Sequence, residues 1–393
     1  MIYLDNNATT RPLPAVVAAV TAALSTDWAN PSSKHPAGQA ARSLLADARG
    51  AVAQLLGAQP AEVVFTASAT ESNALALHAA LAVPGAPRRL VVSAIEHAGL
   101  LQAARAWAAE GVEVLSLPVD AHGVVVAAAL PGLLANGAAL VSVMAANNET
   151  GAIQPVAEIV RLANAVGVPV HVDATQAAGR IPVDFAALGV RFLSVSAHKL
   201  HGPKGVGALL VKKGAPFVSR LPGHQERKRR GGTENLPGIA GFGAAARHAL
   251  AAMPEAAARV AALRDALEDG LRAALPGVRV FGAGVPRLPN TACLAFGSLD
   301  AEVVLQRLER AGICASSGSA CSAGGTAASH VLLAMGVADG AARAAVRFSL
   351  SAETTPGDIA TTIGTLSTAL APLLAEARSE ERRVGKECLR LCR

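Results

Sequence analysis

One lysine stands out for the chemistry its setting allows. Ser194-Val195-Ser196-Ala197-His198-Lys199 runs straight into Leu200-His201-Gly202-Pro203-Lys204-Gly205, so Lys199 follows the apolar run Gly189 to Val195 and precedes a glycine-rich turn. A lysine held out of bulk water loses its proton more easily and becomes a nucleophile toward a carbonyl. A second nucleophile lies far along the chain. The stretch from Ile313 to Thr326 is small, polar and rich in glycine, which predicts a flexible exposed loop carrying Cys321. An exposed thiol that can ionise attacks electrophiles, and core packing explains it poorly; Cys314, beside an apolar run, fits the core better.

Further groups follow apolar runs in the same way. Thr66-Ala67-Ser68-Ala69-Thr70-Glu71-Ser72-Asn73 comes after Val63-Val64-Phe65 and offers hydroxyls and backbone N–H groups to an anion at a helix start. An ordinary Ser/Thr N-cap accounts for the same residues. Asp173, after Val172, is placed to hold a protonated pyridine nitrogen or to cap a helix. His97 is placed to stack on a ring or to shuttle protons, and Asn147-Asn148-Glu149-Thr150-Gly151 adds hydrogen-bonding groups. Arg347, inside Val346-Arg347-Phe348-Ser349, suits a bidentate grip on a substrate carboxylate or a salt bridge. Together, a phosphate cradle, a ring partner, an aspartate and a strand-end lysine point to pyridoxal phosphate. The chain has no GxxxxGK[ST], and Thr-Ala-Ser-Ala-Thr stands where a dinucleotide fold would need GxGxxG.

The elements that position these groups alternate. Helices are expected at Ala15–Leu24 and about Gly38–Leu56. Seven short β-rich runs follow, Val63–Thr66, Leu90–Ser93, Val112–Leu117, Ala139–Met144, Val168–Val172, Phe192–Ser196 and Gly207–Val211, separated by helical stretches. That alternation predicts an α/β fold with a mostly parallel seven-stranded sheet covered on both faces. Past about Leu250 the pattern becomes alanine-rich helices, Glu255–Ala274, Ala301–Ala311 and Thr355–Glu376, enclosing strands at Val278–Phe281, Thr291–Phe296 and Ala345–Ser349. A large cofactor domain over 15–250 and a smaller α+β domain from 1–14 and 251–377 are expected.

Composition narrows the classes. Five scattered cysteines form neither a disulfide scaffold nor a CxxC pair. No run approaches ~20 uninterrupted strongly apolar residues, and the N-terminus lacks a signal-peptide pattern, so a cytoplasmic protein with no membrane partner is expected. The net charge of +6 does not argue for nucleic acid: Arg378 to Arg393 carries six basic and three acidic residues, half the excess. Composition sets this tail, 378–393, apart as non-native or disordered.

At this point the chain closely resembles the cysteine desulfurases of the NifS/IscS type, within the class V aminotransferase, fold-type I group of pyridoxal phosphate enzymes. The resemblance runs from Tyr3 to about Leu350 and is most specific at Ser196-Ala197-His198-Lys199, Arg230-Gly231-Gly232-Thr233-Glu234-Asn235 and Ser317-Gly318-Ser319-Ala320-Cys321. It implies that Lys199 carries the cofactor covalently and His97 stacks on its ring. Asp173 pairs with the pyridine nitrogen, and Gln176 reaches the phenolate oxygen with Asn148 nearby. Ala69, Thr70, Ser196 and His198 hold the phosphate, and Thr233 reaches the phosphate of a neighbouring subunit in a homodimer. Arg347, with Asn30, binds the substrate carboxylate.

The activity implied is conversion of L-cysteine to L-alanine, with sulfur passing to Cys321 as a persulfide and on to an acceptor such as an iron–sulfur scaffold protein. No resident metal is expected, although Cys321 could transiently ligate an iron–sulfur cluster. Selenocysteine lyase and other class V aminotransferases share the cofactor site; the length of the Cys321 loop favours the NifS/IscS type. One departure is Lys228, where the family often has glycine, and a second is the charged tail.

Overall fold

The computed structural model describes residues 1–318 and 328–391, with side chains through Glu376. Thirteen strands are present among these residues: β1 (Ile2–Tyr3), β2 (Val63–Thr66), β3 (Arg89–Ser93), β4 (Glu113–Leu117), β5 (Leu140–Met144), β6 (Val170–Asp173), β7 (Phe192–Ser196), β8 (Gly207–Val211), β9 (Val278–Phe281), β10 (Thr291–Phe296), β11 (Ile313–Cys314), β12 (Ser316–Ser317) and β13 (Val346–Ser349).

Seven of them form the large sheet in the order β2-β8-β7-β6-β5-β3-β4. β8 runs antiparallel to β2 and β7, and the remaining pairs are parallel. The strands are valine- and leucine-rich because both faces are covered. Phe65, Val91, Val141, Val172, Leu193 and Leu210 point into one apolar layer, while their neighbours Val64, Leu90, Leu140, Phe192 and Leu209 point into the other. This period of two, with no polar face, is the mark of a doubly covered sheet. The sequence-based count of seven strands and the mostly parallel fold-type I architecture agree with this sheet.

The helices on the large sheet include α1 (Pro14–Ser25), α2 (Pro36–Leu55), α3 (Ala69–Leu81) and α4 (Ala98–Ala109). A 39-residue helix, Leu236–Ala274, then crosses position 250 without a break and carries Pro254 between its two halves. Its first half buries Ile239 and Phe242 in the large core, and its second buries Leu263, Leu267 and Leu271 in a separate one.

That second core forms around the antiparallel sheet β12-β13-β10-β9 and takes in Leu4 from the N-terminus. β1 pairs in parallel with β11, Ile2 opposite Ile313, so the N-terminal segment is tied to a strand far along the chain. The last helix runs Pro356–Leu391 and therefore continues through the segment that composition set apart as a tail. Its stretch Pro356–Glu376 is long and apolar enough, at a mean hydropathy of 1.2, to cross a bilayer by length and composition alone. In the structure Leu366, Leu370 and Leu374 are buried in the second core.

Candidate active site

The carboxyl ends of β2, β3, β5, β6 and β7 open on one cavity of about 230 Å³, at the sheet edge where open α/β sheets bind ligands. Ala69, Thr70, His97, Asn148, Asp173, Gln176, Ser196, His198, Lys199 and Arg347 all line it. The structure thus brings together ten of the residues singled out by sequence. Asn30 and Thr233 are exposed and do not line it, and Cys321 lies outside the described residues.

Each side chain is placed by a strand end or a cap. Ser68 caps α3, accepting from the Glu71 N–H at 3.2 Å, so the first turn of α3 presents Ala69 and Thr70 at a helix N-terminus. The segment is thus a cap, and the helix N-terminus it starts is of the kind that offers N–H groups to an anion. Gly207 makes the geometry possible. A Cβ there would lie 2.7 Å from the Val195 carbonyl oxygen and 2.8 Å from the Ser68 carbonyl carbon, so only glycine lets β7 and the α3 turn close over β8.

Lys199 ends the short 3-10 turn after β7, and its Nζ donates to the carbonyl oxygens of Asn7 and Ala8, each at 2.7 Å. Asp173 is buried at the end of β6. Its Oδ1 accepts from the Thr175 N–H at 2.9 Å and its Oδ2 from Asn73 Nδ2 at 2.7 Å. His97 caps α4, with Nδ1 accepting from the Gly99 N–H at 3.1 Å. Burial lowers its pKa, against the opposing pull of Asp173, which favours a neutral ring with its proton on Nε2. His198 Nδ1 lies 3.1 Å from Thr9 Oγ1, and burial together with Lys199 presses its pKa to about 4.

Arg347 closes the cavity from the second core. Its Nη2 donates to Asp5 Oδ1 at 2.9 Å and its Nη1 to the Asn148 carbonyl at 3.1 Å, while Nε is buried with no partner. Asn73 Oδ1 and Thr175 Oγ1, also on this cavity, are likewise buried and unpaired. Buried polar atoms are nearly always satisfied, so these three mark positions where a polar ligand completes the site. A ligand with an anionic group at α3, a ring beside His97 and a basic nitrogen near Asp173 fits the donor set.

The comparisons with known proteins agree with that fit. Residues 2–361 match the aminotransferase class-V family. The chain belongs to that family. It is 45% identical over 361 residues to a cysteine desulfurase of Cereibacter sphaeroides, covering 91% of this chain and 92% of that one. A solved NifS-like protein superposes with a TM-score of 0.87 at 35% identity, covering 94% of this chain and 99% of its own. SspA solved in complex with cysteine superposes at 0.79 with 30% identity, over 90% and 100% of the two chains. As a class-V aminotransferase family member, the protein is a pyridoxal phosphate enzyme.

Several residues of this class-V site were not singled out in the sequence. Asn73 lies one helical turn beyond Ala69 on α3, so its spacing could have placed it on the cavity side. The Asn7 and Ala8 carbonyls that hold Lys199 carry no side-chain signal. Glu96, fully buried beside His97, accepts from the Met144 N–H at 2.6 Å. Burial, and then the Asp173 carboxylate, push its pKa well above the ordinary carboxylate value. Glu149 is buried too. Ser329 Oγ donates to its Oε2, and a Cβ on Gly318 would lie 3.1 Å from the same oxygen. Burial raises its pKa to about 7, offset in part by Ser329 and Arg347.

Proposed function

We propose that the protein is a cysteine desulfurase, taking sulfur from L-cysteine onto Cys321 and releasing L-alanine. The observation that carries this reading is the convergence of Lys199, Asp173, His97 and Arg347 on one cavity in a chain of this family. Bound pyridoxal phosphate supplies the electron sink that makes the substrate α-proton removable. Lys199, held between two carbonyls, is the covalent anchor and the base that takes that proton. Asp173, itself fixed by Asn73 and Thr175, keeps a proton on the ring nitrogen. Gln176 and Asn148 meet the phenolate edge, and the neutral His97 ring lies against the cofactor.

Ala69, Thr70, Ser196 and His198 bind the phosphate. The Arg347 guanidinium, fixed on one side by Asp5, turns its free Nε toward the substrate carboxylate, with Asn30 arriving from a second subunit. The Cys321 thiolate would attack the substrate sulfur as the Cβ–S bond breaks, the bonding pair staying with the carbon that takes up a proton to become the methyl group of alanine. The resulting persulfide would pass to an acceptor protein, an iron–sulfur scaffold being the class expected.

Two copies pair as a homodimer. Trp28 is 73% exposed and Leu24 63%, an apolar strip beside Asn30, and the Pro31–Ser32 turn borders the same groove as His224 and Glu234, next to Thr233. In the pair, Thr233 of one subunit reaches the phosphate of the other. The large cofactor domain comprises 15–250 and the small one 1–14 and 251–377, supported by the division of the long helix between two cores. The protein acts in the cytoplasm, with no nucleic acid partner.

Incubation with L-cysteine tests the assignment. Cys321→Ala is expected to bind the cofactor and remain yellow yet form neither alanine nor protein-bound persulfide. Appreciable alanine and sulfide from that variant would sink the reading.

A further inference from the structure

Arg180 is a buried cation that the proposed chemistry leaves unused. The residue as a whole is half-buried, but its guanidinium head is enclosed. Nη1 donates to the Gln176 carbonyl at 3.0 Å and to Gln176 Oε1, and Nη2 donates to the carbonyls of Asn6 at 3.1 Å and Lys199 at 3.3 Å. Among the described residues no carboxylate forms an ion pair with it. Its partners are four uncharged oxygens, two from Gln176 and one from the backbone of Lys199 itself.

This arrangement fixes one amide. With Oε1 against the guanidinium, the Gln176 NH2 must face away, since the flipped amide would set N–H against N–H. Gln176 Nε2 duly donates to the Asn7 carbonyl at 3.1 Å, the oxygen that also accepts from Lys199 Nζ. An amide nitrogen has two protons, so the second is left to meet an acceptor in the cavity that Gln176 lines. The charge is felt across the site: Arg180 helps depress the pKa of both His198 and His201. Burial, with Arg347 adding to it, lowers its own pKa to about 9, which leaves it charged at neutral pH.

We propose that Arg180 is a positioning residue that locks the Gln176 amide donor toward the cofactor's phenolate oxygen and holds a fixed positive charge behind that edge. A nearby cation disfavours protonation of the bound cofactor, so Arg180 keeps it in its less protonated form at working pH. The inference rests on the placement of Gln176 at the phenolate edge in the proposed function.

The test is a pH titration of the cofactor absorbance in purified holoenzyme. Arg180→Gln is expected to raise the midpoint by about one pH unit, and Arg180→Lys, which keeps the charge, to stay within about 0.3 unit of the parent. A fully loaded Arg180→Gln enzyme with the parent midpoint would overturn the proposal, as would an equal rise in Arg180→Lys. If Arg180→Gln does not fold, Gln176→Ala decides. It leaves the cation but removes the amide it orients, so a rise of about half a unit or more supports the proposal and no rise overturns it. Failure of the underlying functional reading looks different, because the parent holoenzyme would then show its cofactor band and titrate, yet form no alanine from L-cysteine.

Discussion

The two walls of the cleft are built on opposite principles. On the large-sheet wall, Asp173 and Lys199 sit where β6 and β7 end, and Thr70 and His97 open the helices after β2 and β3, so each is placed by the few residues before it. On the facing wall, Arg347 projects from the middle of β13 and is neutralised by Asp5, which lies 342 positions away. The first wall is a repeated local device; the second exists only once the N-terminal segment has met β13. The contrast teaches that the side chains of the large-sheet wall are brought to the cleft locally, and that of the facing wall by tertiary structure.

Substitutions can break that contrast at its weakest point. Arg347→Ala should have the largest effect, because it removes the proposed carboxylate grip and leaves Asp5 partly buried without its counter-charge. A fall in kcat/KM of about 10³ is expected, with a loss of about 3 kcal/mol in stability. Arg347→Lys should recover stability better than kcat/KM, since a single ammonium cannot reproduce the fork. An unchanged KM for L-cysteine in both variants would place the carboxylate contact elsewhere.

Glu149 joins the walls, and its effect should be intermediate. Its pKa is raised from 4.5 to about 7 on folding, so between those values the native state holds a proton that the unfolded chain has released. Its contribution to stability is therefore full below about pH 4.5 and is lost as pH rises through 7, by an amount on the order of 2–3 kcal/mol. Glu149→Gln should remove that slope, which thermal unfolding from pH 5 to 8 measures. Parallel parent and variant curves would count against it. His171 supplies the opposite slope. Held between Ser142 and Ser194 and lowered to about 4 by burial, it favours the fold above 6.5 and ceases to do so as pH falls through 4.

The smallest effect belongs to the prop beneath the first wall. Glu226, Arg227 and Lys228 have φ of 45°, 57° and 64°, left-handed values that side chains resist. They are held there by Glu226, which forms a buried bidentate pair with Arg49 and accepts from the Phe65 N–H of β2 at 2.9 Å. Lys228→Gly should stabilise the protein by about 1 kcal/mol with turnover unchanged, as chemical denaturation would report. A destabilised variant would mean that the lysine side chain makes a contact worth more than the strain.

What could be read in the sequence follows the same division. Lys199, Asp173, His97 and the Ser68–Thr70 turn were legible because strand-to-loop transitions are local and leave a pattern of apolar runs ending in polar groups. The seven strands were legible for the same reason. Arg347 was recognisable as an unusual residue in a strand, but its Asp5 partner was not, and neither was the hold of Arg180 on the carbonyls of Asn6 and Lys199. These contacts join segments with no shared periodicity. Glu149 showed only as one of several hydrogen-bonding groups after a strand, because its burial under Ser329 depends on a segment 180 residues later. Asn30 and Thr233 are exposed and do not line their own chain's cavity, and the proposed homodimer is what would give them a role there.

The pairing of Ile2–Tyr3 with Ile313–Cys314 has a consequence for biogenesis. As the chain leaves the ribosome, the large sheet can assemble once Val211 has emerged, yet the Asn7 and Ala8 carbonyls that hold Lys199 are drawn into place by strands made more than a hundred residues later. Contacts of such sequence separation form late and slowly. A still-growing polypeptide would thus hold this segment only through its hydrogen bonds to Gln176, Arg180 and His198, and the β1 pairing would act as a late lock on the pocket for the vitamin B6 coenzyme.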